Sequence, residues 1–327
     1  MADKHPQSAQ TSLLDYLRLF RIANIFTAIA DVAMGFLCAQ SSLQPWLPLL
    51  CLVISSCLLY TAGMVLNDVY DVDIDAQVRP ERPLPSGRIS VARARALGGV
   101  LLLAGMAAGW IVGFLHQTGG EFAWRSGAVA TLLALAILLY DIVLKRTAAG
   151  PVAMGACRFL NVLLGASVGV ASGFNETWAG FAPHEMAAAA GIGIYVVGVT
   201  AFARHEATHS SRPQLFTGAI VMAAGILVLG LVHRLLPPVP RAGLHLQSET
   251  VWWALLALLG FTILRRAAVA IADPRPSAVQ LTVKVAILSI IVLDAAVVLE
   301  VSHWFYAVGL LALLIPTVVV GRWVSTT

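Results

Sequence analysis

The chain predicts an all-α fold, a polytopic membrane bundle of nine or ten transmembrane helices around a polar pocket that faces the cytoplasm. Three observations predict it. Of the 327 residues 59% are hydrophobic and only 12% charged, and the mean hydropathy of +0.83 lies well above that of a water-soluble domain. Apolar windows of the ~20 residues a spanning helix needs fall near 20–40, 47–66, 93–115, 125–143, 150–172, 185–203, 214–236, 250–268, 279–299 and 302–322. The cations gather in alternate connections. With the N-terminus in the cytoplasm, Arg125, Arg234 and Arg241 fall outside, Arg158 lies within a helix, and all other Lys and Arg residues are inside.

Residues 1–19 are polar and lack the apolar core of a signal peptide, so they read as a cytoplasmic N-terminal segment ahead of a single integral-membrane domain, 20–327. The first helix carries Asn24, Thr27 and Asp31 at i, i+3 and i+7, on one face. Such groups are costly in lipid and face a bundle interior or a wet cavity; interhelical hydrogen bonding serves equally well as a reading. Asn24, nearest the cytoplasmic end, is a candidate for the pocket lining.

The second window runs into NDVYDVDIDAQVRPERPLPSGRIS, Asn67 to Ser90. On a helix Asp68, Asp71 and Asp75 project from one face, where three like charges need a cation between them. Together with the amide of Asn67 they form an all-oxygen set suited to Mg²⁺. Arg79, Arg82 and Arg88 follow in a proline-broken loop, and carboxylates for a metal beside arginines for phosphate make a diphosphate site. By composition alone the stretch also suits a solvated connection.

Here the chain resembles a family. NDxxDxxxD followed by RPxRPLPSG is similar to the first signature of the UbiA superfamily of intramembrane prenyltransferases, matched at Asn67, Asp68, Asp71, Asp75 and the run Arg79–Gly87. The resemblance implies nine helices as the usual number, so one segment among the last three is expected to be broken, interfacial or extra. It also implies that Asp68 and Asp71, with Asn67 and Asp75 near, hold Mg²⁺ on an isoprenoid diphosphate. The rival acidic signature DxxDGxxAR of the CDP-alcohol phosphotransferases is not matched.

The loop after the fourth window, Tyr140 to Thr147, places Lys145 and Arg146 at the inner surface. Helix orientation alone accounts for two cations there, while the resemblance of Tyr140 and the following LKR to the superfamily's second landmark implies phosphate contact. In the fifth helix Arg158 lies too deep to serve orientation, one turn from Asn161, and is expected to reach a phosphate or, as a purely structural pair, Asp141 or Asp294.

The sixth window ends in YVVGVTAFARHEATHSSRP, Tyr195 to Pro213, where the superfamily carries a second acidic motif. This chain departs from it. Arg204 stands at the first expected Asp and Thr208 near the second, leaving Glu206 as the carboxylate, and the ARxE form resembles the EboC-like branch found in some bacterial gene clusters. Arg204 is expected to bind diphosphate directly. His205 and His209 have no third ligand nearby for zinc. Tyr60, Tyr140, Tyr195 and Phe202 are candidate aromatic walls, although core packing is the commoner role for each such residue. Beyond residue 214 the signal thins to Lys284 and Asp294 within a late helix and to Trp252, Trp253, Trp304 and Trp323 where interfacial belts belong.

Cys38, Cys51, Cys57 and Cys157 lie in apolar segments without metal spacing and read as core thiols. The net charge of +4 comes from loop arginines and speaks for orientation, not for nucleic acid. The expected activity is Mg²⁺-dependent transfer of a prenyl group from an isoprenoid diphosphate to an aromatic or other lipid-soluble acceptor in a bacterial inner membrane. The altered second motif leaves open a lipid-binding or transport protein on the same scaffold, or another isoprenoid-diphosphate reaction such as cyclisation. Nothing in the sequence specifies the acceptor, the prenyl length or the oligomeric state.

Overall fold

A computed structural model describes residues 12–115, 123–169, 177–204, 210–237 and 248–323. The polar leader expected up to residue 19 contains a short helix, α1 (Leu13–Leu19), started by a capping box in which the Ser12 hydroxyl accepts the Asp15 amide and the Asp15 carboxylate accepts the Ser12 amide. Arg88 donates to the same carboxylate at 2.8 Å, which ties α1 to the loop that follows the acidic stretch. Leu19, Val65, Val69, Leu84, Ile89 and Ala94 form a small core beneath this cap.

The bundle follows as α2 (Ile25–Gln40), α3 (Trp46–Tyr70), the short α4 (Val72–Val78), α5 (Val91–Leu115), α6 (Arg125–Leu139), α7 (Gly150–Ala166), α8 (Pro183–Ala203), α9 (Arg212–Leu235), α10 (Glu249–Ala272), α11 (Pro276–Val301), α12 (Trp304–Ala312) and α13 (Leu314–Trp323). Among the described residues nine segments are long and apolar enough to cross a membrane, with α12 and α13 counted as one; α7, at 17 residues, is a shorter tenth. The interruption expected in the last three windows lies in the final one, at Leu313. Pro316 explains it, because its ring collides with the carbonyl four residues back and it has no N–H to donate.

Successive helices run up and down and pack on their chain neighbours, and α2 closes against both α7 and α11, so that α2, α3, α6, α7, α8 and α11 surround one interior. Outward faces are apolar, as at Leu103, Phe114, Leu135 and Phe261, which is what a lipid surround requires. Gly35 and Gly165 let α2 and α7 touch backbone to backbone: a Cβ on Gly35 would strike the Val162 carbonyl, and one on Gly165 the Val32 carbonyl. At the end opposite the arginine-rich loops, Arg125 is buried under Phe181, its guanidinium donating to the carbonyls of Ser167, Gly180 and Gly169 and so completing the C-terminal end of α7. Trp252 is fully buried, its N–H given to the Gly230 carbonyl at 3.0 Å, so it is a core residue and not part of an interfacial belt; Trp304 is exposed. Among the described residues the four cysteines form no disulfide.

Candidate active site

The acidic stretch begins on a helix and ends across a break. α3 stops at Tyr70, Asp71 adopts φ −100° and ψ 2°, and α4 restarts at Val72, so the one-face arrangement expected for three carboxylates is divided. Asp68 and Asp75 share Arg82, at 3.6 and 2.7 Å. Asp71 turns instead to the loop after α6, where Lys145 and Arg146 bind its two oxygens, the latter at 3.2 Å. Asp73 is exposed.

Arg21 completes the set. It sits between α1 and the 3₁₀ turn Ile22–Asn24 in the left-handed region, φ 46° and ψ 47°, a conformation unfavourable for a side chain with a Cβ and retained where surrounding structure dictates it. The turn brings its guanidinium to Asp68 at 2.8 Å. Nothing in the sequence pattern beyond its charge near the membrane edge marked it. Four cations from three separate segments, Arg21, Arg82, Lys145 and Arg146, thus converge on three carboxylates of α3 and α4.

These groups crown an interior cavity of about 380 Å³ whose polar lining includes Arg21, Asn24, Ser56, Tyr60, Tyr140, Asp141, Arg158 and Asn161. The rest is apolar, with Ile137, Met154, Val196, Val199, Ile287 and Ile290 among the wall residues. Asn24, Tyr140 and Asn161 therefore stand in the lining, and Tyr60 with them. Tyr195 does not; it is buried between α8 and α11, its hydroxyl donating to the Ala286 carbonyl at 3.0 Å, and Phe202 is buried against Gly218 of α9.

Arg158 lines the cavity and pairs with neither acid expected as its structural partner. Its guanidinium reaches Asp31 at 2.8 Å and the Thr27 hydroxyl at 2.8 Å, because the glycine contact sets α2 and α7 close at this depth. Asn161 donates to the same Asp31 oxygen at 3.1 Å and accepts from Ser56 at 2.7 Å, and Asp294 faces Asp31 from α11. A buried pair of this kind leaves an uncompensated charge if either side is removed.

The remaining sequence candidates are more peripheral. Arg79 caps α4, half exposed, outside the ion-pair set. Arg204 is exposed at the end of α8, next to Ala203 of the cavity wall. Glu206, Thr208, His205 and His209 lie outside the described residues.

The donor set at the crown fits a hard divalent cation in kind: Asn67, Asp68 and Asp71 offer only oxygen. Among the described residues no three acidic, histidine or cysteine side chains already converge as a metal cluster, and Asp68, Asp71 and Asp75 are each held by cations. An oxygen at the same level is unspent, however. Asn67 Nδ2 donates to Asp141 Oδ1 at 3.0 Å, and Asp141 Oδ2 is buried without a hydrogen-bond partner.

Comparison with known proteins agrees with this architecture. Digeranylgeranylglyceryl phosphate synthases of Saccharolobus solfataricus and Methanoculleus marisnigri are 42% identical over 99 residues and 34% identical over 136 residues; these stretches are 29% and 42% of this chain and 34% and 44% of those proteins. The match thus spans less than half the length of either relative. A solved structure described as giving insight into digeranylgeranylglyceryl phosphate synthase in membranes superposes with a TM-score of 0.60 at 18% identity, covering 88% of this chain and 97% of that one. A UbiA homolog from Archaeoglobus fulgidus bound to GPP and Mg²⁺ gives 0.58 at 14% identity, covering 87% and 99%. At such identities the superpositions establish a shared fold. The sequence profile of the UbiA prenyltransferase family matches residues 28–280, from α2 into α11, and the chain belongs to that family.

Proposed function

We propose that the protein is a Mg²⁺-dependent membrane prenyltransferase that takes an isoprenoid diphosphate at the arginine-rich end of its cavity. The observation that carries this reading is the convergence of Arg21, Arg82, Lys145 and Arg146 with Asn67, Asp68 and Asp71 at the mouth of a cavity otherwise walled by apolar side chains. A diphosphate offers those cations a more concentrated negative charge than the carboxylates they now hold, and the exchange releases Asp68 and Asp71 for a cation. Bound Mg²⁺ would supply charge neutralisation of the leaving group.

The chain's own residues do the rest. Arginine and lysine donors stabilise charge that grows on the diphosphate as the allylic C–O bond breaks and the electron pair departs with it. Tyr60 and Tyr140 present aromatic rings in the wall, where their faces favour a carbocation. The apolar wall excludes water, which would otherwise consume the cation. The acceptor's nucleophilic atom then bonds to the allylic carbon and gives up its proton to the released diphosphate. Arg204 is assigned to the diphosphate from the end of α8, next to the wall.

The loops with Arg82, Lys145 and Arg204 are read as cytoplasmic. The matched relatives are named for digeranylgeranylglyceryl phosphate, so a glyceryl phosphate lipid is the first acceptor to test, ahead of aromatic ones. The test is incubation of purified protein with Mg²⁺, prenyl diphosphates of several lengths and candidate acceptors, followed by mass spectrometry for a prenylated product. Tight binding without product would support a carrier on this scaffold instead.

A further inference from the structure

The described end of α8 presents no carboxylate to face the Asn67–Asp75 stretch. On another wall of the cavity stands Asp141, which no cation holds in an ion pair among the described residues. Asp141 sits in a π-helical turn, Tyr140–Leu144, that extends α6, and the Lys145 amide bonds the Tyr140 carbonyl five residues back at 2.9 Å. Turns of this kind insert one residue into a helix and recur at functional positions. Here the insertion lets Lys145 meet Asp71 while Asp141, one turn earlier, meets Asn67.

Asp141 is 7% exposed and lines the cavity, yet only one of its oxygens is used. A buried acceptor left without a donor is costly, and a native structure that keeps one needs a reason. The pairing also settles the orientation of Asn67. An ionised carboxylate only accepts, so the amide must turn its nitrogen to Asp141 and its oxygen away. Asn67 is then fixed as an oxygen donor, the way an outer partner fixes a metal-binding side chain.

We infer that Asp141 is a further cation-binding residue of this site: its Oδ1 orients Asn67 and its Oδ2 is offered to the divalent cation that accompanies the diphosphate, supplying a carboxylate that the described end of α8 lacks. The inference rests on reading the site as one for a Mg²⁺-diphosphate.

The probe is inorganic diphosphate, titrated calorimetrically into the purified full-length protein at a series of Mg²⁺ concentrations, which needs no turnover. Asp141→Asn keeps the shape and a hydrogen bond to Asn67 but removes the charge, and it should raise the Mg²⁺ concentration for half-maximal diphosphate binding by about 10- to 100-fold. Asp141→Glu, which restores the charge, should stay within about 3-fold of wild type. If Asp141→Asn fails to fold, the Glu variant still decides, because a role confined to packing predicts that the longer side chain disturbs stability and Mg²⁺ response together. An unchanged Mg²⁺ response in folded Asp141→Asn, or a loss in Asp141→Glu as large as in Asp141→Asn, overturns the inference and leaves the site reading intact. A wild-type protein that binds no diphosphate with Mg²⁺ overturns both.

Discussion

Arg21→Ala separates the two halves of the proposed site, because Arg21 competes with the metal and cooperates with the diphosphate. Its guanidinium holds Asp68 Oδ1 at 2.8 Å and stands in the cavity lining. Two unit charges at that distance attract by about 1.5 kcal/mol in water and about 6 kcal/mol at an effective dielectric of 20. With the Arg21 side chain 29% exposed, solvent screening reduces the pair to about 1 kcal/mol. Removing it should therefore loosen the hold on Asp68, leaving only Arg82 at 3.6 Å, and tighten the binding of Mg²⁺ alone by about 5-fold. The same substitution deletes a charge-assisted donor to the diphosphate, worth about 1.5 to 3 kcal/mol. Diphosphate affinity at saturating Mg²⁺ should then fall about 10- to 150-fold. Calorimetric titration of each ligand separately checks both signs. If Arg21→Ala weakens Mg²⁺ and diphosphate alike, or leaves diphosphate affinity unchanged, the exchange of partners at Asp68 is wrong.

Other predictions concern the scaffold. Gly35→Ala drives a methyl into the Val162 carbonyl and should cost about 1 to 3 kcal/mol, read as a lower thermal unfolding midpoint in detergent. Arg125→Ala strips the donor from several buried carbonyls at the far end of α7 and should destabilise by about 3 kcal/mol or more while leaving diphosphate affinity in the folded fraction unchanged. Single cysteines at the exposed positions Ser86, Thr147 and Ser211, in a background without the native cysteines, should resist a membrane-impermeant thiol reagent in intact cells and react in inverted vesicles. Labelling of any of the three from outside would place the arginine-rich loops on opposite sides and dissolve the shared mouth.

The bundle was legible in the sequence because a spanning helix must be apolar over its whole length, and every predicted window is helical in the fold, the last one divided at Leu313. The acidic stretch was legible too, since its charges stand out against the apolar background and match a family signature. What escaped was set by backbone geometry and by packing. Arg21 reaches Asp68 only through a left-handed residue that no helical periodicity anticipates. Asp141 read as a structural partner for Arg158, but the π-helical turn directs it to Asn67, and the close approach of α2 and α7 at Gly35 hands Arg158 to Asp31. Spacing counted along an ideal helix put Asp71 on one face with Asp68 and Asp75; the break at Asp71 turns it toward Lys145 instead. Trp252 looked interfacial by its position near a helix start, yet its ring fills the core because Gly230 offers a carbonyl there.

The central claim, that the crown of cations and carboxylates activates an isoprenoid diphosphate for transfer, is tested most directly by product stoichiometry. Purified protein with Mg²⁺, a prenyl diphosphate and an acceptor should release one inorganic diphosphate for every prenylated acceptor formed, and Asp68→Asn with Asp71→Asn should abolish both in a protein whose circular dichroism remains helical. Diphosphate released without prenylated product, or full transfer by the double variant, would contradict it.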